Sequence, residues 1–336
     1  MRRLFAGLVL ATSVLFASSS ATLALRLSEP ATPRRPSSVR TASAPGPTQD
    51  GPAVDPAAAD EAAGVTVLDF GAEPRRPLRL RLTPGTLTRT LVELDLGLSI
   101  EVDGEPLDTP VPGTRLVVEH EVGEVRPDGR ADVKVAFVEA SVADGAGLSR
   151  ADRQAVQSGL DQLTTVSGRG VIGVNGAVDD MSLDSSGVTD PLIGQMLDSL
   201  SQQVSGMAVP FPHQAVGLGA RWSVGTTIRS LGLTTEATTT YTLRSRVGDD
   251  IGLDTVEVAT VRTGIVELPG VPSDIEVSVE RFETRSTGIL ARNLTRPVVD
   301  SGRQIGNAEG EFRLDDGRDA ASMRQRISID VVIGPA

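Results

Sequence analysis

The chain predicts an α+β fold, with one large curved antiparallel sheet of about 10 to 13 strands packed on two amphipathic helices. Three observations carry that expectation. Asx-Gly pairs stand at Asp103-Gly104, Asp128-Gly129, Asp144-Gly145, Asn175-Gly176 and Asp316-Gly317, and such pairs accept the positive φ that tight hairpin turns require. Runs of alternating apolar and polar residues lie between the turns, as half-buried strands require. Two segments repeat their apolar residues at helical spacing instead. A β-sandwich is the alternative, because strands with one apolar face need cover from helices or from a second sheet.

The N-terminus comes first. Arg2 and Arg3 form a basic start, Leu4 to Ala17 an apolar stretch, and Ser18 to Leu25 a small-residue segment. This is the pattern of a signal peptide over residues 1–24, cleaved after Ala21 or Ala24. An apolar core of about 14 residues is short for a spanning helix, which needs about 20; an uncleaved membrane anchor is the alternative. Residues 25–64 are rich in Pro, Ala, Ser and Thr without apolar periodicity, and read as a disordered linker. A β-rich domain is expected over residues 65–336.

Within that domain, Val92, Leu94, Leu96, Leu98, Ile100 and Val102 share one parity, with Glu93, Asp95, Ser99 and Glu101 on the other. The first set is expected on a buried face. Leu116, Val118, His120 and Val122 repeat the pattern, and Val133, Val135 and Phe137 return after Asp128-Gly129 as a hairpin. Ser149 caps the first predicted helix, with Asp152 three residues on and Ala151, Ala155, Val156, Leu160 and Leu163 along one face. Residues 170–183 predict a hairpin turning at Asn175-Gly176. The second helix starts at Thr189 or Asp190, has Pro191 in its first turn, and carries the stripe Leu192, Ile193, Met196, Leu197, Leu200 and Val204.

Strands then resume. Trp222, Val224, Thr226 and Ile228 share a face, as do Tyr241, Leu243 and Val247, then Val256 and Val258. Ile275, Val277 and Val279 form another set, and Ile327, Ile329, Val331 and Ile333 a closing strand. Residues 114–142 and 238–261 each read as strand, acidic-Gly turn, strand, so two similar half-sheets built on one plan would fit.

Composition narrows the function classes. The absence of cysteine excludes disulfides, thiolate metal sites, cysteine nucleophiles and a lipidated lipobox cysteine. A domain of about 270 residues buries a large core without disulfides. Lys134 is the only lysine, while Arg, Ala, Gly and Pro are frequent, the imprint of a GC-rich bacterial genome. A net charge of −12 repels phosphate backbones, so no nucleic-acid partner is expected.

No catalytic constellation emerges. His120 and His213 are the only histidines and neither stands in a metal-binding spacing. The neighbouring pairs Asp179-Asp180, Asp249-Asp250 and Asp315-Asp316 lie at turns, where aspartate normally bonds its own backbone. There is no Gly-x-Ser-x-Gly elbow. Catalytic residues, metal and cofactor are accordingly expected to be none, and the protein is expected not to be an enzyme.

The most distinctive stretch is Val209-Pro210-Phe211-Pro212-His213-Gln214-Ala215-Val216-Gly217-Leu218-Gly219-Ala220-Arg221-Trp222. Its Pro-x-Pro, then Val-Gly-x-Gly, then Trp pattern resembles one found in a family of exported bacterial β-rich proteins of unknown function. The resemblance covers the plan from about Leu78 to Ile333 and implies export and a β-rich fold, with no reaction attached. In predicted architecture the chain is also loosely similar to half-barrel lipoprotein carriers, whose curved sheet closes over helices around an acyl chain; it departs from the lipoproteins among them in lacking their cysteine.

These readings lead to an exported, non-catalytic protein of the bacterial cell envelope, periplasmic or extracellular. It is expected to bind a lipid or other apolar small molecule between sheet and helices, lined by Leu94, Leu96, Leu98, Leu192, Met196, Leu200 and Trp222. The alternative is a structural or protein-binding module with an envelope protein as partner. Membrane contact is expected only if the N-terminal segment stays uncleaved.

Overall fold

The computed structural model describes residues 64–107, 111–143, 149–184, 186–187, 209–230, 233–266, 275–317 and 319–336. The predicted signal peptide, the linker, the Asp144-Gly145 turn and the second predicted helix lie outside the described residues.

Asx-Gly turns set the path of the chain. At Asp103 and Gly104 φ is 50° and 85°, the double left-handed geometry that matches strand twist in a two-residue hairpin. Among the described residues fourteen strands follow one another: β1 (Val65–Asp69), β2 (Leu87–Val102), β3 (Glu105–Leu107), β4 (Thr114–Val125), β5 (Ala131–Val142), β6 (Ser167–Ile172), β7 (Val178–Asp184), β8 (Arg221–Ser230), β9 (Leu233–Val247), β10 (Asp250–Val261), β11 (Gly264–Val266), β12 (Glu276–Asn293), β13 (Ser301–Asp315) and β14 (Ala320–Pro335). They pair antiparallel in a single sheet of order β1-β8-β9-β10-β12-β13-β14-β2-β4-β5-β6-β7, with β3 beside β2 and β11 beside β12.

The α+β expectation is corrected by this sheet. The protein is mostly β, and helix α1 (Arg150–Leu163) is the one helix among the described residues. The sheet supplies its own cover. One core cluster draws Val118, Val133, Val135 and Phe137 from β4 and β5 together with Trp222, Tyr241, Leu243 and Leu253 from β8, β9 and β10. The two flanks of the sheet therefore share one interior, and among the described residues the strand faces are buried mainly against one another. A second cluster holds Ile100, Val279, Phe282, Phe312, Met323 and Ile327 further along the long strands.

Helix α1 is stapled on rather than layered on. Ser149 Oγ accepts the Asp152 N–H at 3.2 Å and donates to Asp152 Oδ2 at 2.6 Å, which satisfies an orphan donor of the first turn. Gln157 Oε1 accepts from Val142 N at 3.0 Å, and its Nε2 donates to Ala140 O at 2.9 Å. Those backbone groups lie on the stretch of β5 that β6, paired only with residues 131–136, does not reach. Of the predicted helix face, Leu160 and Leu163 are buried and Val156 is half-buried, while Ala151 and Ala155 are exposed; the helix meets the core only through its C-terminal half.

A second correction concerns β10. Val256 and Val258, expected to face inward, are 46% and 40% exposed. Ile251, Leu253, Thr255, Glu257, Ala259 and Val261 are buried, in strict alternation with their neighbours from Leu253 onward. The apolar residues at both ends of the strand fix its parity, and period-2 geometry then carries Glu257 inside and the two valines outside. Val247, expected with Tyr241 and Leu243, is exposed beyond an irregularity in the β9–β10 register at Gly252/Leu253.

The outer face meets water. Arg303 donates to Asp330 Oδ1 at 2.9 Å, and Arg324, Arg326, Arg89 and Lys134 pair with Glu311, Glu101, Glu119 and Glu121. Each such exposed pair contributes little stability.

Candidate functional site

Register across the sheet aligns the inner-face residues in rows. One row runs Val224, Thr239, Glu257, Ser286, Gly306, Ile329, Leu96; the next runs Trp222, Tyr241, Thr255, Gly288, Gln304, Val331, Leu94. Where these rows cross β9, β10, β12 and β13, they form a buried belt of polar and very small residues. Leu243, Leu253 and Leu290 flank the belt on one side, and Val261, Phe282 and Phe312 on the other.

Hydrogen bonding satisfies the belt only in part. Thr239 Oγ1 donates to Glu257 Oε2 at 3.2 Å, and Gln304 Nε2 donates to Ser286 Oγ at 2.7 Å. Glu257 Oε1, Thr284 Oγ1 and Tyr241 Oη are buried without a partner. Each unmet group costs on the order of 1–3 kcal/mol. Glu257 itself is only 1% exposed, and burial pushes its carboxyl well above its ordinary range, the Thr239 hydroxyl working against that. The protonated acid is thereby favoured, and a protonated carboxyl both donates and accepts. Burial raises the Tyr241 phenol too, helped by the nearby Glu257 charge and opposed by Arg292.

Arg292 closes the far end. It is fully buried, its guanidinium lies 5.4 Å over the Phe211 ring, and Nη2 donates to Pro297 O at 2.9 Å. Burial lowers it to about 10, with Asp300 and then Tyr241 opposing.

The predicted lining residues divide. Leu94, Leu96 and Leu98 lie on the inner face of β2 opposite Val331, Ile329 and Ile327, each half-buried and packed beside the second cluster. Trp222 shares a row with Leu94 but sits six strands away along the sheet, in the other cluster. It is 0% exposed, stacks on Tyr241 at 5.5 Å, and donates from Nε1 to Pro210 O at 2.9 Å. Leu192, Met196 and Leu200 lie outside the described residues. The Pro-x-Pro to Trp motif builds the joint around Trp222: Phe211 N donates to Asn175 O at 2.6 Å, Val216 bridges Arg76, and Gly217 N donates to Phe70 O at 2.8 Å. A Cβ at Gly217 would fall 1.6 Å from the Ala72 carbonyl oxygen, so only glycine fits there.

Sequence reading missed Glu257, Thr239, Ser286, Gln304 and Arg292. One signal could have found the first: from Ile251 to Val261 the parity that holds Ile251, Leu253 and Ala259 also holds Glu257.

The other candidates fall into place as structure. His120 is buried beside Thr88 and Val135, and its strand neighbours Glu119 and Glu121 point to the opposite face. Asp250 Oδ1 accepts from Asn293, and Asp315 and Asp316 accept backbone N–H groups of their own turn. A groove of about 740 Å³ opens on β4, β5 and β6, lined by Glu119, Glu121, Asp132, Lys134, Arg169 and neighbours; Lys134 and Glu121 pair across it at 3.0 Å. Among the described residues, no three His, Cys, Asp or Glu side chains converge as a metal would need, and no helix is long and apolar enough to cross a membrane.

Fold and site together define a mostly-β protein whose single sheet curls around an interior containing a polar belt. No protein-family model matches the chain, and no curated protein matches it significantly. A solved structure described as "Asymmetric conductivity of engineered proteins" aligns over 73% of this chain and 100% of its own at 9% identity, with a TM-score of 0.16, a likeness too slight to bear on fold or function.

Proposed function

We propose that this chain is an exported, non-catalytic protein of the cell envelope that holds a lipid or other apolar molecule on the inner face of its curled sheet. The observation that carries the reading is the state of Leu94, Leu96 and Leu98. Their row-mates Ile327, Ile329 and Val331 are buried, yet these three leucines keep part of their surface open. An apolar surface left open on an inward face is what a bound apolar chain would cover, and burying it would be worth about 25 cal/mol per Å². The polar belt next to it supports the same reading, since apolar binding sites carry a few polar groups that orient the ligand.

The test is uptake of Nile red, an uncharged dye whose emission shifts blue in apolar surroundings. The full chain should take up the dye saturably, and Leu96→Glu should lose that uptake while melting as a folded protein. No saturable uptake by the parent chain would refute the reading.

One observation favours a second reading, a structural or protein-binding module. Val256, Val258, Ile289 and Ile305 stand exposed on the outer faces of β10, β12 and β13, interspersed with Thr287 and Arg303. A partner docking there would be lost on replacing Val256 and Ile289 by Lys, with dye uptake intact.

A further inference from the structure

We infer that Glu257 selects the head group of the bound molecule: the inner face takes an uncharged, hydroxyl-bearing amphiphile and refuses a carboxylate- or phosphate-headed one of the same chain length. The inference rests on the reading that the inner face binds an apolar molecule, and adds to it the chemistry of the polar end.

Four features converge on Glu257. It occupies an inward position where the outward neighbours are Val256 and Val258, the reverse of what stability alone would place there. Its Oε1 is buried without a partner, as is Thr284 Oγ1. Thr284 pairs with Ala259 and Ser286 with Glu257, so Glu257 and Thr284 are diagonal neighbours on one face, about 7–8 Å apart at the backbone. A single hydroxyl can reach both, donating to one and accepting from the other. The flanking positions Ala237, Ala259 and Ala308 bring no polar side chain that could do so.

Charge supplies the selectivity. An anionic head group entering this water-poor interior loses its hydration whether Glu257 is ionised, when like charge adds to the cost, or protonated, when no cation stands beside it. The groups that face Glu257 do not relieve this. Tyr241 is a neutral phenol, and Arg292 lies six residues along β12 from Ser286, roughly 20 Å away along the strand, beneath Phe211. A hydroxyl head brings no charge and meets both open oxygens.

The test compares equilibrium binding of radiolabelled monooleoylglycerol and oleate to the full chain at neutral pH. Monooleoylglycerol should bind at least about tenfold more tightly. Glu257→Leu, which keeps the volume and removes the hydrogen-bonding oxygens, should melt at or above the parent chain and remove that preference by weakening monooleoylglycerol about tenfold while leaving oleate unchanged. Thr284→Val provides a milder variant, expected to weaken monooleoylglycerol about fivefold and leave oleate unchanged. Equal binding of the two probes by the parent chain, or a preference that Glu257→Leu leaves intact, overturns the inference while the carrier reading stands. Binding of neither probe overturns both.

Discussion

Glu257 stands directly across from Thr239 on neighbouring strands, accepting that hydroxyl on one carboxyl oxygen while the other has no partner. An acid held this way above its ordinary value of 4.5 binds its proton more tightly in the folded than in the unfolded chain. Its contribution to stability is complete below pH 4.5 and is lost as pH rises from there toward the folded value. Glu257→Gln removes the titration. Thermal melts taken between about pH 4.5 and about pH 8 should show the variant gaining on the parent as pH rises; parallel curves would mean that Glu257 is not buried as an acid.

His120 titrates with the opposite sign. Burial lowers it from 6.5 to about 4, with the Thr88 backbone working the other way. The unfolded chain therefore takes up this proton first, so stability is full above pH 6.5 and is lost as pH falls toward 4. The loss is on the order of 3 kcal/mol. His120→Leu should flatten that acid limb in urea titrations, and an unchanged limb would place the ring in water.

The joint around Trp222 is a core element. Trp222→Ala removes a fully buried ring stacked on Tyr241 and should cost about 3–5 kcal/mol. Gly217→Ala forces a methyl group into the Ala72 carbonyl and should cost about 3 kcal/mol, since the loop must move to admit it. Denaturant midpoints for both variants check this; a midpoint near that of the parent would show that the loop yields freely.

Gln157 is what docks the helix on β5. Gln157→Ala leaves Val142 N and Ala140 O without the partners they have now and should destabilise by about 1–3 kcal/mol. Amide exchange should quicken at Val142 and along α1, with the β12–β13 ladder unaffected. Exchange that quickens everywhere equally would show that the helix and sheet open as one unit.

Legibility in the sequence followed the chemistry of the inward row. From Val92 to Val102 the inward residues of β2 are all large and apolar, and parity alone placed them. Ser149 and Asp152 announced the start of α1 in the same way. On β10 two outward valines outweighed the inward Thr255 and Glu257, so apolar content pointed to the wrong face; the strand ends held the correct parity. On β13 the inward residues Gly302, Gly306, Ala308 and Gly310 show no apolar period at all. Packing requires them small, because a Cβ at Gly310 would lie 2.5 Å from a Phe282 ring carbon. The belt was illegible for the same reason: it is made of the residues that do not drive burial. Likewise, no local pattern reveals that β4 and β5 share a core with β8, β9 and β10.

Whether an apolar molecule occupies the inner face can be read by native mass spectrometry of the full chain purified from an exporting bacterial host. An added mass is expected that organic extraction releases as an uncharged amphiphile, and that Leu96→Glu abolishes without unfolding the protein. A bare protein mass, together with no saturable uptake of Nile red, would contradict that occupancy.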